Sequence, residues 1–192
     1  MKRFTFLLIT ILCFSQTGYS QKKATRRSGN GSIREAALKH SQISPNSCIP
    51  MSVELILKFN KKAAADYYQL QRNWNNRADG TFKNFDKKVI AGLRFGQQFA
   101  VPRGDQFPYE RLFSTIDHEL AAGRKVIISL PSGYLMWHMY VIDSKTSKGD
   151  YVAFSRAFDS TEVLVLNDVK SRIFGCKGTD ILTYQSVTSN KK

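Results

Sequence analysis

The chain predicts an α+β fold, because helical periodicities come first along it and a run of short, β-rich segments follows. Three observations carry that expectation. "SCIPMSVELILKF" sets Val53, Ile56, Leu57 and Asn60 at helical spacing, so one face is largely apolar. "YERLFSTIDHELAAG" spaces Leu112, Ile116 and Leu120 by four and ends on Gly123, a residue suited to stopping a helix. After it come "KVIISL", "WHMYVID", "DYVAFS", "TEVLVLN" and "DILTYQ", short segments rich in β-branched and aromatic residues and separated by Gly, Lys and Ser turns. The expected architecture is N-terminal helices packed on one side of a C-terminal antiparallel sheet.

The first element is not part of that domain. "MKRFTFLLITILCFSQTGYSQ" joins Lys2 and Arg3 to an apolar run from Phe4 to Phe14, with small residues Gly18 and Ser20 before a cleavage point. Residues 1–20 therefore read as a secretory signal peptide, which makes the protein exported, periplasmic or extracellular. The run is shorter than the roughly 20 residues a membrane-spanning helix needs, and no later segment approaches that length. Cys13 follows Leu12, where a lipid-attachment signal calls for a small residue. Residues 21–31 form a basic, turn-rich lead expected to be disordered, 32–187 one domain, and 188–192 a basic tail.

A formal net charge of +14 favours anionic partners through long-range attraction, and a basic surface suits an anionic envelope component. The positive residues are scattered and concentrated in the tails, and no zinc-finger or base-stacking signature accompanies them, so nucleic acid is not the expected partner. His40, His118 and His138 stand far apart without metal-ligand spacing, and neither metal nor cofactor is implied. Cys48 and Cys176 remain in the exported chain, where one disulfide between them is the simplest structural reading.

Within the domain, "SIREAALKH" reads as a short helix and "SQISPNS" as a polar turn. Pro50 suits the first turn of the next helix, with Asn46 or Ser47 as its cap, so Cys48 lies at a helix N-terminus. "AAADYYQLQRNW" continues as a second helix. The stretch from Asn75 to Pro108 mixes glycine, aromatic and basic residues without a period and is expected to be irregular. His40 and His118 are expected on the surface.

Cys48 carries the chemistry. Helix N-terminal N–H groups and an adjacent imidazole favour a thiolate, and His138 stands at the start of an apolar strand that the preceding "SLPSGYLMW" could turn toward the helix end. That pairing is the one nucleophilic catalysis uses. Gln42, six residues before Cys48, adds a side-chain amide that could join the Cys48 N–H in binding an oxyanion. Tyr134 and Trp137 are candidates to line a substrate cleft, or to belong to the core.

"QISPNSCIPMS", a helix, "GRKVIISL" and "WHMYVID" together resemble the papain-like cysteine peptidases, closest to the bacterial domain that removes double-glycine leader peptides and its stand-alone secreted relatives. The resemblance spans about residues 38 to 160. It implies a papain-like fold with Cys48 as nucleophile, His138 as general base and Gln42 as oxyanion donor. Ile49 stands where that family carries Gly, Lys125 where it carries Pro, and Arg156 near the position of its acid. Asp159 is the nearest carboxylate beyond and is the expected group to orient His138, ahead of Asp143, Asp150 and Ser155. The resulting expectation is a secreted cysteine hydrolase acting on a peptide or protein substrate through a thioester. The rival is a non-catalytic exported binding module, tied by a Cys48–Cys176 disulfide and using its basic surface on an anionic envelope or nucleic-acid partner.

Overall fold

The structure is a computed structural model and describes residues 32–74, 81–133 and 136–187. The signal-peptide reading, the basic lead, the basic tail and Tyr134 lie outside these residues. The fold is α+β. Its strands are β1 (Val89–Ile90), β2 (Leu93–Gln98), β3 (Val126–Gly133), β4 (Met136–Lys145), β5 (Tyr151–Arg156), β6 (Val163–Leu166) and β7 (Ile181–Ser186). They form one seven-stranded sheet in the order β1-β2-β7-β3-β4-β5-β6, with every neighbouring pair antiparallel.

The helices are α1 (Ile33–Leu38), α2 (Cys48–Phe59), α3 (Gln69–Arg72), α4 (Tyr109–Ala121) and α5 (Val169–Gly175). They cover both faces of the sheet, a correction to the one-sided packing the sequence suggested. On one face α1 and α2 join Met139, Val141, Leu182 and Tyr184 in a core; on the other, Leu112 and Ile116 of α4 and Val169 and Ile173 of α5 pack on Ile128, Tyr140 and Ile142. Alternation along the strands produces both cores, since successive side chains leave a strand on opposite sides.

Helix α2 is the buried axis of the first core. Leu55, Ile56 and Leu57 are fully buried, and so are the polar Ser52 and Glu54. Truncating one of these leucines to alanine costs about 2–5 kcal/mol. At the far end of α4, Gly123 takes φ +76° and ends the helix as its residue type demands.

Two departures from the expected elements matter. The stretch read as irregular contains the β1–β2 hairpin, whose turn residues Ala91 and Gly92 take φ +49° and +78°. Ala-Gly is not a common two-residue hairpin signal, because alanine rarely enters the left-handed region. The second helix shrinks to the single turn α3. Among the described residues no helix is long and apolar enough to cross a membrane.

Candidate active site

Cys48 opens α2, whose first-turn amides have no acceptor inside the helix. Ser47 takes the cap position without bonding them. Its Oγ is engaged instead 2.8 Å from Gln71 Oε1 and 2.9 Å from the Ser44 carbonyl. The N–H groups of Cys48 and Ile49 are therefore left facing the thiol.

Opposite them, the sheet has a local break. Strands β4 and β5 pair from Lys145↔Tyr151 to Val141↔Phe154 and stop, although β5 continues beside β6 to Arg156↔Val163. Met139 remains opposite Ser129 on β3 but has lost its partner on β5. Its N–H approaches Cys48 Sγ, and its carbonyl accepts from Ser155 Oγ at 2.6 Å. Buried backbone groups need partners, so the break in the ladder is filled by the thiol on one side and the serine on the other.

His138 precedes Met139 and completes the group. Its ring lies 5.2 Å from that of Tyr140, on the sheet face away from α2, and its Nε2 lies 2.8 Å from Ser155 Oγ. The tautomer follows from the serine. An oxygen–oxygen separation of 2.6 Å between Ser155 and the Met139 carbonyl requires a proton, and only the hydroxyl has one. Ser155 must then accept from His138, so the proton sits on Nε2 and the lone pair on Nδ1. Sulfur and imidazole thus flank consecutive residues of β4 from opposite faces of the sheet, with no direct hydrogen bond between them among the described residues.

The electrostatics differ from the ion pair suggested by sequence. Burial pushes the Cys48 thiol above its ordinary range, and the N–H groups of Met139, Ile49 and Cys48 oppose that without cancelling it. Burial also draws His138 down to about 4, against a smaller opposing contact with the Arg156 carbonyl. Both groups rest neutral, a thiol on one side of β4 and an imidazole on the other, because desolvation disfavours both charged forms.

Gln42 is buried close by but is not free to bind an oxyanion. Its Nε2 donates both protons to the turn, to Ser44 O at 2.9 Å and Pro45 O at 3.0 Å, while its buried Oε1 has no partner. It shapes the loop leading to Cys48.

Asp159 does not orient His138. It is exposed at φ +55° in the turn after β5 and makes no hydrogen bond among the described residues. Arg156 holds that turn away from the imidazole, donating to Thr161 O at 2.7 Å and Ser160 O at 3.0 Å. Ser155 takes the place expected of the acid. Asp143 accepts from Ile33 N and pairs with Lys125, and Asp150 accepts from Lys170 N, so both serve the scaffold.

The disulfide reading does not hold either, since Cys48 and Cys176 are both free. Cys176 follows α5, near the core on the opposite sheet face, with Sγ 3.4 Å from the Gly178 carbonyl.

A polar network behind α2 was not legible in sequence. Fully buried Glu54 accepts from His40 Nε2 at 2.9 Å, Gln71 Nε2 at 2.7 Å and Leu70 N at 2.9 Å. Gln71 Oε1 in turn receives Ile43 N and Ser47 Oγ. His40 is therefore a buried structural residue, contrary to expectation, whereas His118 is exposed as expected. The chain Glu54–Gln71–Ser47 fixes the end of α2 that carries the thiol. Its signal in sequence was only a charged residue inside an apolar helix.

Among the described residues no group of three or more His, Cys, Asp and Glu side chains is arranged to hold a metal. No protein-family model matches the chain, and no curated protein matches it.

Proposed function

We propose that the chain is a papain-like cysteine hydrolase that cleaves peptide or other acyl bonds through a thioester. The observation supporting this reading is the break between β4 and β5, which sets a thiol with unpaired helix amides on one side of Met139 and a serine-bound imidazole of defined tautomer on the other. A purely structural cysteine needs none of these.

The chemistry follows from the proton positions. Cys48 attacks the substrate carbonyl carbon while its proton passes to Nδ1 of His138 through a water bridging the two sides of the broken ladder, because the ring lies on the sheet face away from α2, so relayed general-base transfer replaces a preformed ion pair. The carbonyl electrons move onto oxygen, where the N–H groups of Cys48 and Ile49 donate. The proton on Nδ1 then goes to the leaving amine as the C–N bond breaks, leaving a thioester on Cys48. Water gives its proton to Nδ1, attacks the thioester and expels the thiolate, which recovers that proton. Throughout, Ser155 accepts Nε2–H and keeps the ring in its working tautomer. With residues 1–20 as an export signal, the reaction takes place outside the cytoplasm on a peptide or protein substrate.

A fluorogenic peptide library incubated with the wild type, Cys48→Ala and His138→Ala tests this. Cleavage by the wild type alone supports the reading. Equal cleavage by all three, or none by any, contradicts it.

A further inference from the structure

A cleft adjoins the thiol, lined by Phe82, Arg103, Ser129, Trp137, Met139 and Asp180. Met139 belongs both to this cleft and to the reaction centre, because its N–H approaches Cys48 Sγ. The cleft and the thiol's surroundings thus share one residue.

Its distinctive member is Arg103. The guanidinium lies over the Trp137 ring, 3.7 Å from the centroid, and makes no hydrogen bond or ion pair among the described residues. A guanidinium resting on the ring, with its N–H donors making no hydrogen bond among the described residues, is suited to recognition of a carboxylate. The loop is anchored as well. Gly104 N donates to Lys177 O at 2.8 Å, and the Phe107 ring packs so tightly on Gly178 that a Cβ there would stand 2.3 Å from it.

The competing charge in the cleft is Asp180. Its carboxylate already accepts from Gln97 Nε2 at 2.7 Å, and burial favours its protonated form. Arg103 and Asp180 also attract each other across the cleft, but no hydrogen bond joins them, so an incoming carboxylate competes with Asp180 for the guanidinium rather than displacing a formed ion pair. The formal charge, +14 for the whole chain and still strongly positive without Lys2 and Arg3, also steers anionic ligands toward the protein.

We propose that this cleft is a specificity subsite for an acidic residue of a peptide substrate, whose carboxylate is held by the Arg103 guanidinium stacked on Trp137. The substrate class rests on the hydrolase reading, and the binding does not.

The test uses N-acetylated, C-amidated hexapeptides of alanine and glycine carrying one Glu, Gln or Lys moved along the chain. Binding is measured by calorimetry on Cys48→Ala, and cleavage on the wild type. The expected result is one position at which Glu binds about tenfold or more tighter than Gln, a preference abolished by adding Arg103→Ala and turned toward Lys by Arg103→Glu. A preference for Lys in the parent, a Glu preference that survives Arg103→Ala, or no binding of any hexapeptide overturns the subsite. Arg103-dependent binding of Glu peptides without cleavage would retain the subsite and refute the hydrolase.

Discussion

Ser155 Oγ stands 2.8 Å from Nε2 of His138 and 2.6 Å from the carbonyl oxygen of Met139, so one hydroxyl receives the imidazole proton and closes the broken ladder. Ser155→Ala removes both contacts and leaves the Met139 carbonyl without its donor. The expected cost is about 1–3 kcal/mol of stability and about a tenfold or greater loss of turnover. Ser155→Thr, which keeps the hydroxyl, should recover much of both, and Asp159→Asn should change neither. Nitrogen chemical shifts of His138 provide a readout that a general loss of packing does not mimic. The wild type should show Nε2–H with an unprotonated Nδ1, and Ser155→Ala a mixture.

The thiol should behave as a neutral, buried group. Because burial raises the Cys48 pKa, alkylation by iodoacetamide should stay slow at mildly acidic pH and rise only above the range of an ordinary thiol, whose pKa is about 8.5. A rate plateau near pH 6 would instead reveal a thiolate–imidazolium pair.

Stability should fall in acid, with a sign set by His138. Its folded pKa of about 4 lies below the ordinary histidine value of about 6.5, so below that value the unfolded chain takes up a proton that the native ring refuses. The associated stability is complete above pH ~6.5 and is lost as pH falls toward ~4, by on the order of 2–3 kcal/mol. Denaturant melts of wild type and His138→Asn across that window check it. The variant should keep the weaker dependence that buried His40, whose pKa burial also lowers, contributes.

Glu54 should dominate the stability of the thiol-bearing helix. It is a fully buried carboxylate with several donors, and Glu54→Ala strands His40 and Gln71 together. Breaking such a group costs about 3–5 kcal/mol. Gln71→Ala is the finer probe, because it also releases Ser47 and Ile43. Calorimetric melting and turnover should both fall in Gln71→Ala, and intact turnover would show that the network does not position Cys48.

The parts of this structure that announce themselves in sequence are those built on periodicity. The α2 and α4 patterns and the five C-terminal strands lie where the apolar and β-branched residues place them, and Cys48 does begin a helix. What was hidden depends on tertiary contacts. The β1–β2 hairpin turns on Ala91, and Glu54, a charged residue in an apolar helix, is buried because His40 and Gln71 close over it. The expected acid failed for a similar reason: Arg156 binds Ser160 and Thr161 and carries Asp159 outward, and a serine already on β5 fills the vacated role. Sequence shows which residues could do chemistry, but not which hydrogen bonds already occupy them, as Gln42 demonstrates.

The most direct test of a His138-assisted nucleophile at Cys48 is the reaction with p-nitrophenyl acetate, followed by nitrophenolate release and intact mass. A burst of one acetyl group per chain, mapped to Cys48 and followed by steady turnover, is expected, with the burst lost in Cys48→Ala and both phases strongly slowed in His138→Ala. Acetylation that falls equally on Cys176, or a Cys48 burst and turnover unchanged in His138→Ala, would contradict it.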